Sequence, residues 1–149
     1  MNDEIRKEAR CWVGVASASH VSIGVQGGFA QLNHGKAAPL RKMSVGDWMV
    51  YYSPRSEMHR GVPLHAFTAI GCMTDEKVYA YPMSDQFVPF RRNVQYLPCR
   101  TVKIRDILNR LSFTQHSSHW GSLFRRGHFE IERKDFLVIA QSMTGEEWL

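Results

Sequence analysis

The stretch Gly27-Gly28-Phe29-Ala30-Gln31-Leu32-Asn33-His34-Gly35-Lys36-Ala37-Ala38-Pro39-Leu40-Arg41-Lys42-Met43-Ser44-Val45-Gly46-Asp47-Trp48-Met49-Val50-Tyr51-Tyr52-Ser53-Pro54 decides how the rest of the chain is read. Gly27, Gly28 and Gly35 permit tight or left-handed turns. Phe29, Gln31, His34 and Lys36 sit among them. A flat ring, an amide, an imidazole and an ammonium packed this closely suit a flat, polar, anionic ligand such as a nucleotide. Residues 37–43 then make one helical turn, with Leu40 and Met43 spaced to face the core. A turn at Ser44-Val45-Gly46-Asp47 feeds a strand from Trp48 to Ser53.

Upstream, residues 1–10 alternate in charge and read as a mobile arm or a short helical lead-in. Cys11 to Ser17 is apolar enough for a central strand. Ser19 to Val25 is a short helix or turn with Ser17 or Ser19 as N-cap. Downstream, residues 53–61 read as a surface loop. Leu64 to Met73 is a long strand, with a hairpin turn at Thr74-Asp75-Glu76-Lys77 and a return over Val78 to Met83. Pro82 marks that return strand as peripheral. Val88 to Tyr96 is a further strand. Thr101 to Leu111 is the clearest helix, because Ile104, Ile107, Leu108 and Leu111 share one face. His128 to Ile131 is a last strand and Glu132 to Met143 a final helix. Repeats and linkers are absent, so residues 11–145 form one domain behind the arm at 1–10. The class is α+β: a mixed barrel of about five to seven strands with flanking short helices. Closing the sheet removes its edges, and a barrel mouth is a common ligand pocket.

The chain has 149 residues and 44% apolar residues, enough for one core. No apolar run reaches the ~20 residues that span a bilayer, and the charged N-terminus has no leader pattern, which suggests a cytoplasmic protein. Cys11, Cys72 and Cys99 are scattered, as buried or half-buried small residues in a reducing compartment would be. Net charge is +5, and arginine supplies 13 of the 19 basic residues. Arginine forks onto phosphate and stacks on flat rings, so the balance favours a nucleic-acid partner. Catalytic patterns are weak. His116-x-x-His119 has metal-ligand spacing but no third ligand. Ser17, His20 and Asp47 lack a nucleophile-elbow sequence. No phosphate loop or dinucleotide fingerprint is present, and the carboxylates are scattered. The chain therefore reads as a non-enzyme with no cofactor and no metal.

The run Trp12 to Ser17, then Gly28-Phe29-Ala30-Gln31, His34-Gly35-Lys36, Pro39-Leu40, Met43, Gly46-Asp47 and Tyr51-Tyr52-Ser53-Pro54, resembles bacterial EVE-domain proteins. Phe67-Thr68-Ala69-Ile70-Gly71, Phe90-Arg91-Arg92, Trp120, Phe124-Arg125-Arg126-Gly127 and Phe129-Glu130-Ile131 agree in the same order. The resemblance covers roughly residues 10–145. It implies a PUA-like fold, related to YTH domains that capture a methylated adenine in RNA and to readers of modified cytosine in DNA. It also implies a pocket for a flipped or single-stranded modified base. Some relatives carry Lys-Ser-Glu-Pro after the first strand. Here Val15-Ala16-Ser17-Ala18 stands there, keeping Ser17 but not the Glu and Pro.

On this basis Ser17, Phe29, Gln31, His34, Tyr52 and Trp120 are candidates for the base pocket. Phe29 or Trp120 would stack on the ring, and Ser17 and Gln31 would read its edge. Lys36, Arg91, Arg92, Arg125 and Arg126 are candidates for phosphate. Strand alternation lets only one of Tyr51 and Tyr52, and one of Arg91 and Arg92, face the pocket; Tyr52 is the choice for the first pair. Each candidate has a plainer alternative as core, loop or solvated surface. DNA against RNA, the kind of modification and the oligomeric state stay open. So do two rival functions: a PUA-like module reading structured tRNA or rRNA, and a pocket for a free nucleoside or anionic metabolite.

Overall fold

The computed structural model of the chain describes residues 5–115 and 119–148. Among them, seven strands form one mixed sheet: β1 Cys11–Val15, β2 Phe29–Ala30, β3 Trp48–Glu57, β4 Arg60–Ala80, β5 Phe90–Tyr96, β6 Val102–Lys103 and β7 His128–Ile131. Their order is β2-β5-β4-β3-β1-β7, with β6 against β4. Only β1 and β3 run parallel. Among the described residues four α-helices flank the sheet: α1 Ala18–Gly27, α2 Ala37–Lys42, α3 Ser112–Gln115 and α4 Arg133–Thr144. No helix among the described residues is long and apolar enough to cross a membrane.

The expected barrel closure takes an indirect form. The hydrogen-bonded path is open, ending at β2 and β7. Its two ends meet through a side chain: Asn33, just after β2, donates to the carbonyl of Arg126, just before β7, at 3.4 Å. Gly127 allows that approach. It holds a left-handed φ of 75°, and a Cβ there would lie 1.8 Å from Asn33 Oδ1. Across the sheet, Gly14 of β1 leaves room for Leu32, whose Cδ2 would stand 2.8 Å from an added Cβ.

Alternation along the strands fills two cores. Cys11, Val13, Trp48, Val50, Tyr52, Phe67 and Ile70 pack on one face against Phe136, Ile139 and Met143 of α4. Trp12, Met49, Tyr51, Ala69 and Met73 pack on the other with Val21, Leu32 and Leu40. The sheet is thus covered on both sides, and period-two patterning decides which core a residue joins.

Three local expectations are corrected. First, residues 74–77 do not reverse the chain. β4 runs on through them as a bulge, with Met73 opposite Val94 and Val78 opposite Arg92. The polar run is held by β5 instead: Asn93 donates to the Asp75 carboxylate and Arg92 Nε to the Asp75 carbonyl. Reversal comes at 81–89, where Tyr81 N donates to Pro89 O. Second, Thr101 to Leu111 is not one helix. Val102 and Lys103 pair with β4, and two 3₁₀ turns follow over Ile104–Asp106 and Leu108–Arg110. Ile104, Ile107 and Leu111 are buried all the same, since three-residue spacing also suits 3₁₀ geometry. Third, much of the loop expected over 53–61 is the end of β3, which pairs with β4 down to Glu57 opposite Arg60. Cys99, expected inside, is exposed. The described part of the segment at 1–10 is docked: Ile5 is buried, and Arg133 donates to the carbonyls of Ile5, Arg6, Lys7 and Ala9.

Candidate functional site

A cleft of about 300 Å³ opens where β1 ends, beside the start of α1, the turn after β2 and the β3–β4 hairpin. A smaller hollow of about 50 Å³ adjoins it, and Ala16, His20 and Gln31 border both. Local sequence explains the placement. Ser17 caps α1, accepting from His20 N at 3.4 Å. Gly28 ends the helix in the left-handed region and turns the chain into β2. The hydroxyl of Tyr51 then fixes Gln31, accepting from its N–H at 3.3 Å and donating to its carbonyl at 3.2 Å. Burial pushes the Tyr51 pKa up to about 12, so that hydroxyl keeps its proton.

Arg91 of β5 closes the hollow. Its guanidinium carbon lies 3.9 Å from the ring centroids of both Phe29 and Tyr81. Its Nε donates to Gln31 Oε1 at 3.2 Å, and an Nη to Met83 Sδ at 3.6 Å. One face of the Phe29 ring is therefore taken by Arg91. The larger cleft carries three imidazoles, His20, His34 and His59, and the guanidinium groups of Arg55 and Arg125.

Among the sequence candidates, Ser17, Gln31 and His34 border the cleft, and Phe29 and Gln31 border the hollow. Tyr52 is a correction. It lies on the other face, stacked on Phe124 at 4.0 Å and 17°, with its hydroxyl 3.2 Å from His65 Nδ1. Alternation separates the two tyrosines as expected, but Tyr51 is the one beside the hollow. Trp120 is a second correction. It packs edge-on against Phe124 at 5.8 Å and borders a different groove, with His65 and Leu108. Arg92 is a third. It is 2% exposed and donates to the carbonyls of Asp75, Leu40 and Met43, so no phosphate can reach it. Desolvation lowers its pKa. Both arginines of the pair are covered because the sheet has two buried faces. Lys36 is exposed and borders neither cavity. Arg125 is exposed at the lip of the cleft; Arg126, also exposed, borders a groove beside His128.

His20 enters the sequence reading only in the Ser17, His20 and Asp47 grouping, and Asn33, Arg55, His59, Tyr81 and Met83 do not enter it as site residues. They come from four separate segments, and nothing in their linear spacing joins them. The Ser17, His20 and Asp47 grouping does not assemble. Asp47 precedes β3 at the end of the parallel β1–β3 pair opposite Ser17, and accepts from Arg10 N, Ser44 N and Trp12 Nε1. Among the described residues, no group of three or more His, Cys, Asp or Glu could hold a metal ion. His116 of the His116-x-x-His119 pattern lies outside the described residues.

A mixed sheet flanked by short helices, with a ligand-sized cleft at the end of its parallel strand pair, is a PUA-like domain. Residues 10–142 match the EVE domain, and the chain belongs to that family. It is 52% identical over 132 residues to the UPF0310 protein YdcG of Bacillus subtilis (strain 168), covering 89% of this chain and 90% of that one. It is 44% identical over 133 residues to a UPF0310 protein of Mycobacterium avium (strain 104), covering 89% and 96%. A hypothetical protein from Leishmania major shares the fold at a TM-score of 0.56 and 12% identity, covering 91% of this chain and 94% of that one.

Proposed function

We propose that this chain is a non-enzymatic module that binds nucleic acid by taking one modified base, flipped out or single-stranded, into the cleft. The observation that carries this reading is the cleft's make-up. About 300 Å³ is room for one heterocycle and falls within the range of ligand sites. Its walls combine imidazoles with the amide of Gln31, and its lip carries Arg125. Flat rings stack on a base at ~1–3 kcal/mol each, the amide meets the base edge, and the exposed arginines neutralise the phosphates on either side. Extruding a base is least costly from a single strand or a weakened pair. The net charge of +5 acts in the same direction.

The test is fluorescence anisotropy with short single-stranded oligonucleotides, each carrying one modified base or its unmodified counterpart, at several salt concentrations. Tighter binding of the modified strand is expected, weakening as salt rises. In an Arg125→Ala/Arg126→Ala variant the salt dependence becomes shallower, by ~0.7 in log–log slope per lost single-strand phosphate contact. Equal affinity for both strands at every salt concentration overturns the proposal. A preference for folded RNA regardless of modification assigns the domain to shape recognition. Tight binding of a free nucleoside that is indifferent to both arginines assigns it to small-molecule binding.

A further inference from the structure

We infer that the groove beside Trp120 is a second binding site, for a small ligand with a flat apolar body and one anionic group such as a carboxylate. It shares no lining residue with the cleft, and the inference stands apart from the base-binding reading.

The groove arises where β6 stops. Val102 and Lys103 pair with Phe67 and Ala66 of β4. The chain then leaves the sheet in the turn at Ile104–Asp106. β4 extends on to Arg60, and over residues 60–65 its only strand partner among the described residues is β3. The space left between β4 and that turn is about 710 Å³, a volume that suits one small ligand. An open strand edge also invites a strand from another chain, but this edge is blunted. Pro63 has no N–H to give. His65 sits at a φ of 49° in a bulge, where the step from Ser53 to Arg55 on β3 is matched by the longer step from Ala66 to Pro63 on β4. A compact ligand fits such a place better than an added strand.

The lining decides the ligand. Val62, 66% exposed, and half-buried Leu64 and Leu108 give the groove an apolar wall. Trp120 adds a flat one. It meets the Phe124 ring at nearly a right angle, and no ring among the described residues stacks flat on it. Lys103 and Arg105 are exposed at the same groove. Neither side chain has a hydrogen bond or an ion pair among the described residues. No carboxylate, amide or hydroxyl side chain lines the groove among those residues. The one acceptor is the imidazole of His65, whose Nδ1 is already engaged with the Tyr52 hydroxyl at 3.2 Å.

Two unpaired cations beside an apolar wall ask for both halves of an amphiphilic anion. A carboxylate meets the guanidinium as a fork and the ammonium as a point charge. An aromatic body packs on Trp120 and the aliphatic side chains. A neutral ligand forgoes the charges, and a bare anion forgoes the wall.

The test is titration of the full chain with naphthoate, with naphthalenemethanol and with inorganic phosphate, followed through the indole N–H signals by NMR. The chain has four tryptophans, and Trp120→Phe identifies the signal that reports on the groove. Naphthoate is expected to shift that signal saturably and to bind about tenfold or more tighter than the alcohol of similar shape. In Lys103→Ser/Arg105→Ser, naphthoate should fall to the level of the alcohol. The signals of Trp12 and Trp48 should stay in place there, which shows that the variant is folded. Equal binding of acid and alcohol overturns the inference, because the cations then take no part. Phosphate that competes as well as naphthoate also overturns it, because the wall then takes no part. So does a Trp120 signal unmoved at millimolar naphthoate, or a double variant that binds naphthoate as tightly as wild type. A short single-stranded oligonucleotide should leave naphthoate bound; its displacement would make the groove part of a nucleic-acid surface and overturn the inference. None of these outcomes depends on whether the cleft takes a base.

Discussion

The imidazole of His128 lies flat against the indole of Trp12, with ring centroids 4.6 Å apart and planes 7° from parallel. Its Nε2 is buried and has no hydrogen-bond partner among the described residues. Burial pushes its pKa down from 6.5 to about 4, and Lys42 pushes the same way. The fold therefore accommodates the neutral ring.

A pH dependence of stability follows. The unfolded chain takes up this proton near pH 6.5, whereas the folded protein resists it until about pH 4. Stability from this site is full above the unfolded value and is lost as pH falls through that window. The loss approaches roughly 3 kcal/mol. Denaturant titrations of wild type and His128→Phe between pH 8 and 4 isolate the term by difference. The phenylalanine variant keeps the stack and should flatten the profile; parallel profiles would show that His128 does not set it.

Asp47 ties the start of β3 to β1. Its carboxylate accepts from Arg10 N at 2.9 Å, Ser44 N at 2.8 Å and Trp12 Nε1 at 3.0 Å, at 2% exposure. Asp47→Asn keeps the shape but turns an NH2 toward one of these donors. The expected cost is about 2–4 kcal/mol in denaturant titration, with a change in Trp12 fluorescence in the folded state. A cost under about 0.5 kcal/mol would mean that the three bonds are replaceable by water.

The arginines separate by measurement. Arg92→Ala strands the carbonyls of Leu40, Met43 and Asp75 and is expected to cost about 2–4 kcal/mol of stability. Arg125→Ala and Arg126→Ala, on exposed side chains, should stay within about 0.5 kcal/mol of wild type. Their effect belongs to the salt dependence of binding. The reverse ranking in a thermal melt would contradict this division.

Gly127→Ala tests the link between the two ends of the sheet. The added Cβ would lie 1.8 Å from Asn33 Oδ1, on a backbone at φ 75°. A destabilisation of about 1–3 kcal/mol is expected, with faster hydrogen exchange in β2 and β7. Adding Asn33→Ala to this variant removes the clash and leaves the backbone strain. The double variant should therefore recover part of the loss, and purely additive effects would argue against contact between the two residues.

Much of the framework is legible in the sequence where patterning and local chemistry agree. Cys11 to Val15 and Trp48 to Ser53 carry apolar runs, and Ser17 announces the start of α1. The period-two rule also separates Tyr51 from Tyr52. It does not say which one borders the cavity, because both faces of this sheet are buried and each offers a tyrosine the same cover. Arg92 looked like surface because its three carbonyl partners come from distant backbone, which leaves no trace in side-chain pattern. The helix expected at Thr101 to Leu111 failed because β4 claims Val102 and Lys103, and tertiary pairing overrides an apolar repeat compatible with either kind of turn. In the candidate site, Gln31, His34 and Phe29 could be picked from one glycine-rich stretch. Arg55, His59 and Tyr81 could not, since only the fold brings them near it.

The position of β1 has a consequence during synthesis. It lies between β3, made soon after it, and β7, made well after both. Until His128 to Ile131 emerge, one side of a mostly buried strand has no neighbour, a template for adhesion between nascent chains. A frameshift or stall just upstream of Gly127 should therefore yield polypeptides that clump or are degraded.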